Sequence, residues 1–88
     1  MKKTTIGEKI DDFIMYKRSL GYVYDTAERY LKHYQCHMEE QYPHLDLPDK
    51  NSTDSFLDKY KGKTGGLYNA MAPLREFVRY LFQLGYMD

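Results

Sequence analysis

Several features are missing from this 88-residue chain, and each absence excludes a class of protein. There is no tryptophan and only one cysteine, Cys36, so neither an internal disulfide nor a cysteine metal cluster can form. No run of about 18 apolar residues occurs, which excludes a membrane-spanning helix. Residues 1–8 carry charge but lack the apolar stretch of a signal peptide. The sequence therefore predicts one small cytoplasmic domain, residues 1–88.

The charge of the chain is balanced overall but unevenly distributed. Thirteen Lys and Arg residues oppose thirteen Asp and Glu residues. Residues 1–38 carry seven basic and five acidic residues (+2), residues 39–58 one and six (−5), and residues 59–88 five and two (+3). DNA-binding domains often have a strong positive charge, so any affinity for DNA here must come from local placement of the basic residues. We expect such binding to be weak in the isolated domain.

Amphipathic segments without strand-like alternation predict an all-α fold, a compact bundle of four or at most five helices. The first helix begins with Thr5 and Glu8, which have the spacing of a capping box, and ends at Gly21. The second is predicted to start with Asp25 as the cap, or with Thr26 in the first turn, and to reach about residue 41. Their apolar faces comprise Ile6, Ile10, Phe13, Ile14 and Leu20 in the first helix, and Ala27, Tyr30, Leu31, Tyr34 and Met38 in the second.

A loop over residues 42–51 leads to a short third helix capped by Ser52 or Thr53, with Phe56, Leu57 and Tyr60 on its apolar side. The last helix is predicted from an N-cap at Thr64 to Gly85, which can adopt a positive φ. Pro73 should kink this helix, or make it restart near Ala72. Its apolar stripe comprises Leu67, Ala70, Met71, Leu74, Phe77, Val78 and Leu81.

No catalytic or cofactor-binding pattern is convincing. His33 and His37 have the i, i+4 spacing that can bind a metal, but no third ligand accompanies them. We therefore expect two solvated histidines, no metal and no cofactor. Gly65 and Gly66 lack the spacing of a phosphate-binding loop and more simply permit a tight turn.

The helix ends and outer faces carry the candidate functional residues. Backbone N–H groups at helix N-termini attract phosphate, and Lys and Arg release counterions from DNA. Basic residues on outer faces are also commonly just solvated, so both interpretations stay open. For Lys17 the alternatives are a phosphate contact and a lysine placed favourably near its helix C-terminus. The candidate DNA contacts are Lys17, Thr26, Arg29, Lys32, His33, Lys63, Thr64, Tyr68, Arg75 and Arg79.

Two stretches carry a family resemblance. Residues 16–22 read Tyr-Lys-Arg-Ser-Leu-Gly-Tyr and are followed by Thr26, Tyr30, Leu31 and Tyr34; residues 74–81 read Leu-Arg-Glu-Phe-Val-Arg-Tyr-Leu and are followed by Gly85. In this order they resemble the N-terminal core-binding domain of tyrosine recombinases, the phage integrases. The chain departs from the family at Val23, where many members have a small residue, and at Pro73.

The resemblance implies a SAM-like helical bundle that clamps one side of double-stranded recombination-site DNA. It implies that the second and last helices approach the major groove through Thr26, Arg29, His33, Thr64, Tyr68 and Arg75. The catalytic domain would be absent, so we expect no enzyme activity and no nucleophile among the ten tyrosines. We expect the isolated domain to be a monomer and the parent recombinase to oligomerise on DNA. The acidic segment 39–58 should face away from the DNA surface.

A second hypothesis is a small helical protein–protein interaction module, because one fold serves many functions. A salt titration separates the two hypotheses, since phosphate contacts make DNA affinity fall linearly with salt on logarithmic axes.

Overall fold

The structure, a computed structural model, describes residues 5–63 and 65–87. This part of the chain forms four helices: α1 (Ile6–Ser19), α2 (Asp25–Gln41), α3 (Lys50–Asp58) and α4 (Gly66–Gln83). Neither segment contains a strand, so the predicted all-α bundle of four helices is confirmed. None of the described helices has both the length and the apolar character needed to cross a membrane.

Helix α1 begins with the predicted capping box. The Thr5 hydroxyl accepts a hydrogen bond from the Glu8 backbone N–H, and the Glu8 carboxylate accepts from the Thr5 backbone. At the other end Gly21 has φ +92°, and the N–H groups of Gly21 and Tyr22 donate to the carbonyls of Arg18 and Lys17. This is the Schellman arrangement, which favours glycine because a Cβ opposes a positive φ.

Two expectations for the turn between α1 and α2 are wrong, a buried Leu20 and Asp25 as the N-cap, whereas Thr26 lies in the first turn of α2 as the alternative stated. Leu20 is 56% exposed, because it caps α1 and lies outside the helical repeat that buries Ile6 to Ile14. The N-cap of α2 is Tyr24, which makes no side-chain capping bond. Asp25 is the first helical residue, and its carboxylate instead pairs with Arg18 at 3.3 Å. An acidic group in the first turn still interacts favourably with the helix dipole.

The N-cap of helix α3 is Asp49 rather than Ser52 or Thr53, so the helix begins three or four residues earlier than predicted. The Asp49 carboxylate accepts from the Ser52 N–H at 2.7 Å, and the Ser52 hydroxyl accepts from the Asp49 N–H at 3.1 Å. Ser52 is therefore the third residue of a capping box and is fully buried.

Helix α4 is one continuous helix through Pro73, so the predicted restart near Ala72 is wrong. Pro73 removes one backbone donor, but Ala70 and Leu74 on either side of it are both buried in the same core. Packing thus holds the helix together across the missing bond. The predicted cap Thr64 lies outside the described residues, and the N-cap of α4 is Gly65. Gly85 has the predicted positive φ, +84°.

The core lies between the four helices, and α2 and α4 each pack against the other three. Phe13 contacts Phe77 with ring centroids 5.5 Å apart, and Tyr34 contacts Phe56 at 5.2 Å. Two predicted core residues, Tyr30 and Val78, are only partly buried because they lie at the edges of α2 and α4. The other predicted core residues are buried: Ile10, Phe13, Ile14, Leu31, Tyr34, Phe56, Leu74, Phe77 and Leu81.

Candidate nucleic-acid interface

Ion pairs within residues 5–63 and 65–87 neutralise several of the basic side chains. Arg18 bridges to Asp25 and Glu28. The other pairs join Lys17 to Glu76, Lys32 to Asp11, Lys50 to Asp54 and Lys61 to Asp58. Each of these cations already has a carboxylate partner, which reduces its availability for an external anion.

A second group of basic side chains has no carboxylate within ion-pairing distance among residues 5–63 and 65–87. Four of its five members had been singled out from the sequence as DNA contacts, and Lys59 is the exception. The group comprises Arg29, Lys59, Lys63, Arg75 and Arg79. The available positive charge is therefore concentrated on α2, on the turn before α4 and on α4.

The first part of the candidate interface is a basic–aromatic cluster of Arg29, Tyr30, His33, Tyr60 and Lys63. The Arg29 guanidinium lies 5.5 Å from the Tyr30 ring, which contacts the Tyr60 ring at 5.6 Å. The Lys63 ammonium lies 5.6 Å from the Tyr60 ring. The Tyr60 hydroxyl lies 3.3 Å from His33 Nδ1. The cluster therefore ties the outer face of α2 to the start of α4.

Tyr60 remains a neutral phenol at this position. Burial raises its pKa, the neighbouring Tyr30 raises it further, and only Arg29 opposes the shift. The cluster consequently keeps the positive charges of Arg29 and Lys63 without a compensating phenolate.

The second part is the outer row of α4, formed by Tyr68, Arg75 and Arg79. All three are exposed, and Tyr68 is 74% exposed. Arg75 and Arg79 border a groove of about 470 Å³ between α3 and α4, which Thr53, Leu57 and Phe82 also line. An exposed aromatic ring thus shares this face with two guanidinium groups.

This groove corrects the expectation that the acidic segment 39–58 faces elsewhere. Thr53 and Leu57 belong to that segment and form the α3 side of the groove. The cause is the packing of α3 directly against α4. The acidic residues nearest to it, Asp54 and Asp58, are paired with Lys50 and Lys61.

Thr26 is exposed in the first turn of α2 and lies beside the middle of α4. It lines a depression of about 500 Å³ together with Asn69, Ala72 and Glu76. Helix α2 therefore crosses α4 with Thr26 near its middle and the basic–aromatic cluster near its start.

Lys17 and Lys32 are not brought to this surface. Lys17 is only 18% exposed, and its ammonium lies 2.7 Å from the Glu76 carboxylate. Lys32 lies on the side of α2 that faces α1, where it contacts Asp11 and Gln35. For both residues an ion pair joins two helices, an arrangement that none of the alternatives drawn from the sequence included. Thr64 lies outside the described residues.

His37 is the clearest residue that sequence reasoning placed wrongly. It is only 5% exposed, and its Nε2 lies 2.9 Å from the Ser55 hydroxyl on α3. His33 contacts Tyr60 instead, so the two histidines have different partners. Among the described residues no group of three or more His, Cys, Asp or Glu side chains could hold a metal.

Tyr60 is a part of the basic–aromatic cluster that the sequence placed only on the apolar side of the third helix. It follows the last residue of α3, in a turn where the helical repeat no longer relates one residue to the next. One sequence feature could have indicated this part of the surface: a lysine stands at every second position of residues 59–63, next to a tyrosine.

Comparison of the chain with protein-family models, with curated proteins and with solved structures found no match.

Proposed function

We propose that this chain is the DNA-binding core-binding domain of a phage-integrase-type tyrosine recombinase, with a SAM-like arrangement of its four helices. In this proposal it clamps recombination-site DNA during integration and site-specific recombination, and the chemistry belongs to a separate catalytic domain. The motifs around Gly21 and in α4 supply the resemblance to that family.

The observation that carries the proposal is the sorting of basic side chains into paired and unpaired groups. A cation already held by a carboxylate must give up that partner to bind phosphate, whereas Arg29, Lys63, Arg75 and Arg79 have no such partner to lose among the described residues. Phosphate binding to these side chains releases counterions from DNA, which supplies most of the affinity of a non-specific complex.

The positions of these residues also favour DNA. The basic–aromatic cluster lies on α2 and at the start of α4, and the outer row continues along α4. Tyr and Thr hydroxyls, such as those of Tyr68 and Thr26, are common donors to phosphate oxygens. A chain of zero net charge can therefore present a basic face to DNA. The expected dissociation constant for non-specific DNA is about 10⁻⁴–10⁻⁶ M.

The test is NMR shift mapping of the chain with a DNA duplex at low salt, repeated as salt is raised. We expect the perturbed amides to cluster in residues 26–33, 59–63 and 66–79, and the perturbations to disappear at high salt. Perturbations centred on residues 42–55, or perturbations that persist unchanged at high salt, would contradict this DNA surface.

A protein–protein interaction module is the second candidate. The observation that favours it is the apolar part of the groove between α3 and α4, where Phe82 is 46% exposed beside Leu57, Met71 and Val78. Exposed aromatic residues of this kind are enriched at protein interfaces. Absence of DNA binding even at low salt would favour this candidate over the first.

A further inference from the structure

The groove of about 470 Å³ between α3 and α4 has more features than the proposed DNA contacts use, since those involve only its two arginines. Thr53 and Leu57, one turn apart, form its α3 side. Its α4 side has residues at three- and four-residue spacing: Met71, Leu74, Arg75, Val78, Arg79 and Phe82. Residues 71–82 cover about three turns of helix, or roughly 16 Å. The volume lies in the range of binding sites.

The floor of the groove is apolar and partly open to solvent. Phe82 is 46% exposed, and Leu57, Met71 and Val78 are half-buried. The cause is the length of α3, which has nine residues against the eighteen of α4 and cannot cover the whole side of α4 against which it packs. Charged phosphates are costly to place against such a floor. The floor therefore favours apolar side chains of a protein, whose burial removes apolar area from water.

The charge of the groove is positive and uncompensated. Arg75 and Arg79 lie one turn apart, both are exposed, and neither has a carboxylate partner among residues 5–63 and 65–87. No Asp or Glu is among the described residues that line the groove. Guanidinium groups bind carboxylates through paired hydrogen bonds. A complementary partner therefore carries carboxylates along one border of an apolar stripe.

The backbone of the occupant must also be satisfied inside the groove. Both walls are helices, and no strand edge is present in the part of the chain that the structure describes. An extended peptide would therefore bury N–H and C=O groups without partners, which is costly. A helix satisfies these groups internally and presents apolar residues at three- and four-residue spacing. The groove thus favours a helical occupant.

We propose that the groove between α3 and α4 binds an acidic amphipathic helix of a protein partner. The apolar face of that helix packs on Leu57, Val78 and Phe82, and its carboxylates, one turn apart, pair with Arg75 and Arg79. The inference rests on the protein–protein interaction candidate, for which it names the chemistry of the partner. It does not rest on DNA binding, although the two arginines also belong to the proposed DNA surface.

The test is NMR titration of the full chain with two designed peptides of about 18 residues, long enough to form a helix in isolation. The acidic peptide has Leu and Phe in one helical stripe, Glu along one border of that stripe, and Ala and Gln elsewhere. The neutral peptide has Gln in place of every Glu. We expect both to perturb amides of residues 53–57 and 71–82, and the acidic peptide to bind about tenfold more tightly, because two exposed ion pairs contribute a factor of about three each. Equal affinities, or perturbations centred outside these residues, would overturn the proposal.

Variants of the chain separate the apolar and the charged contributions. Phe82→Ala should weaken the binding of both peptides about tenfold, because an aromatic anchor is lost. Leu84→Ala is the matched control, because Leu84 is 56% exposed beside the end of α4 but lies outside the groove. Arg75→Gln should reduce the preference for the acidic peptide to about threefold, whereas Arg29→Gln makes the same charge change on α2, outside the groove, and should preserve it. Wild-type affinity in Phe82→Ala, or an unchanged preference in Arg75→Gln, would exclude this groove as the site.

A parallel titration with duplex DNA at low salt distinguishes this inference from the DNA-binding function. If the duplex perturbs residues 71–82 and neither peptide does, the groove belongs to the DNA surface alone and the inference is overturned. If the acidic peptide binds with the expected preference and the duplex does not bind, the DNA-binding function fails and the inference stands.

Discussion

The Nε2 atom of His37 lies 2.9 Å from the Oγ atom of Ser55, and this contact joins α2 to α3 in the interior. The other ring nitrogen, Nδ1, has no partner among the described residues. Tyr42 and Phe56 flank the ring, with centroids 5.9 and 5.7 Å away. Burial lowers the pKa of His37, the charge of Lys59 lowers it further, and Glu40 opposes the shift. The fold therefore holds this histidine neutral.

This environment makes stability depend on pH. Above the unfolded-state pKa of about 6.5, His37 is neutral in both states and the full stability is present. As pH falls below that value the unfolded chain binds the proton first, so the free energy of unfolding decreases until the folded-state pKa is passed. Urea unfolding of wild type and His37→Gln at pH 7 and pH 5 checks this, and the variant should lose less stability on acidification. His44→Gln, at an exposed histidine, is the control and should behave as wild type.

Phe77 is the central side chain of α4 in the core. It is fully buried and contacts Phe13 at 5.5 Å. Phe77→Ala should lower the free energy of unfolding by about 3–5 kcal/mol, enough to unfold a domain of this size. Phe82→Ala makes the same change on the same helix at a side chain that is 46% exposed, and it should cost far less. If Phe77→Ala and Phe82→Ala had the same melting temperature, the buried face of α4 would have been misassigned.

The Asp49 cap should be measurable as a local contribution to stability. Asp49→Ala removes the acceptor for the Ser52 N–H at the start of α3, and the expected loss is about 1 kcal/mol. Asp54→Ala breaks only the exposed i, i+4 pair with Lys50, which is worth a few tenths of a kcal/mol at most. Equal unfolding midpoints for the two variants in denaturant would argue against the capping box.

Arg29 and Arg75 should each contribute to DNA affinity if the proposed surface is correct. Arg29→Ala and Arg75→Ala should weaken binding to any duplex and reduce the slope of log affinity against log salt by about one. Lys50→Ala carries the same loss of charge at a paired residue on α3, and its slope should equal that of wild type. Fluorescence anisotropy of a labelled duplex measures the affinity and the salt slope of the three variants. If Lys50→Ala reduced the slope as much as the two arginine variants do, the effect would reflect only the net charge of the chain.

The proposed function also predicts that this chain neither cleaves nor joins DNA, because the recombination chemistry belongs to a catalytic domain. Incubation with supercoiled plasmid and with suicide substrates should leave the DNA intact and yield no covalent protein–DNA adduct. A phosphotyrosyl adduct on any of the ten tyrosines would contradict the assignment of chemistry to another domain.

Local patterns predicted the helices and most of the core well. Thr5 and Glu8 form the expected capping box because both partners lie within one turn. The stripe of α4 is buried at Ala70, Leu74, Phe77 and Leu81, since helical periodicity alone determines which residues share a face. The approximate ends of α1 and α2 were predicted from capping and turn residues, which also act within one turn.

What the sequence missed depends on contacts between helices. Nothing within α2 distinguishes His37 from a solvated histidine until α3 places Ser55 against it. Lys32 seemed to share the outer face of Arg29, but α1 brings Asp11 alongside it. The sequence thus identified the basic residues of the candidate site. Only the tertiary structure shows which of these side chains have a carboxylate partner and which have none.

The central position of α4 has a consequence for synthesis of the protein on the ribosome. Helices α1, α2 and α3 all pack against α4, which is the last helix in chain order. While the chain is being made, α2 can already pack against α1 and α3, but Phe13 lacks Phe77 and the faces that α4 covers stay open. A nascent chain emerges at about 5–20 residues per second. The surfaces of the first three helices that pack against α4 therefore stay uncovered for several seconds at most, and the core is complete only once residues 70–81 have left the exit tunnel.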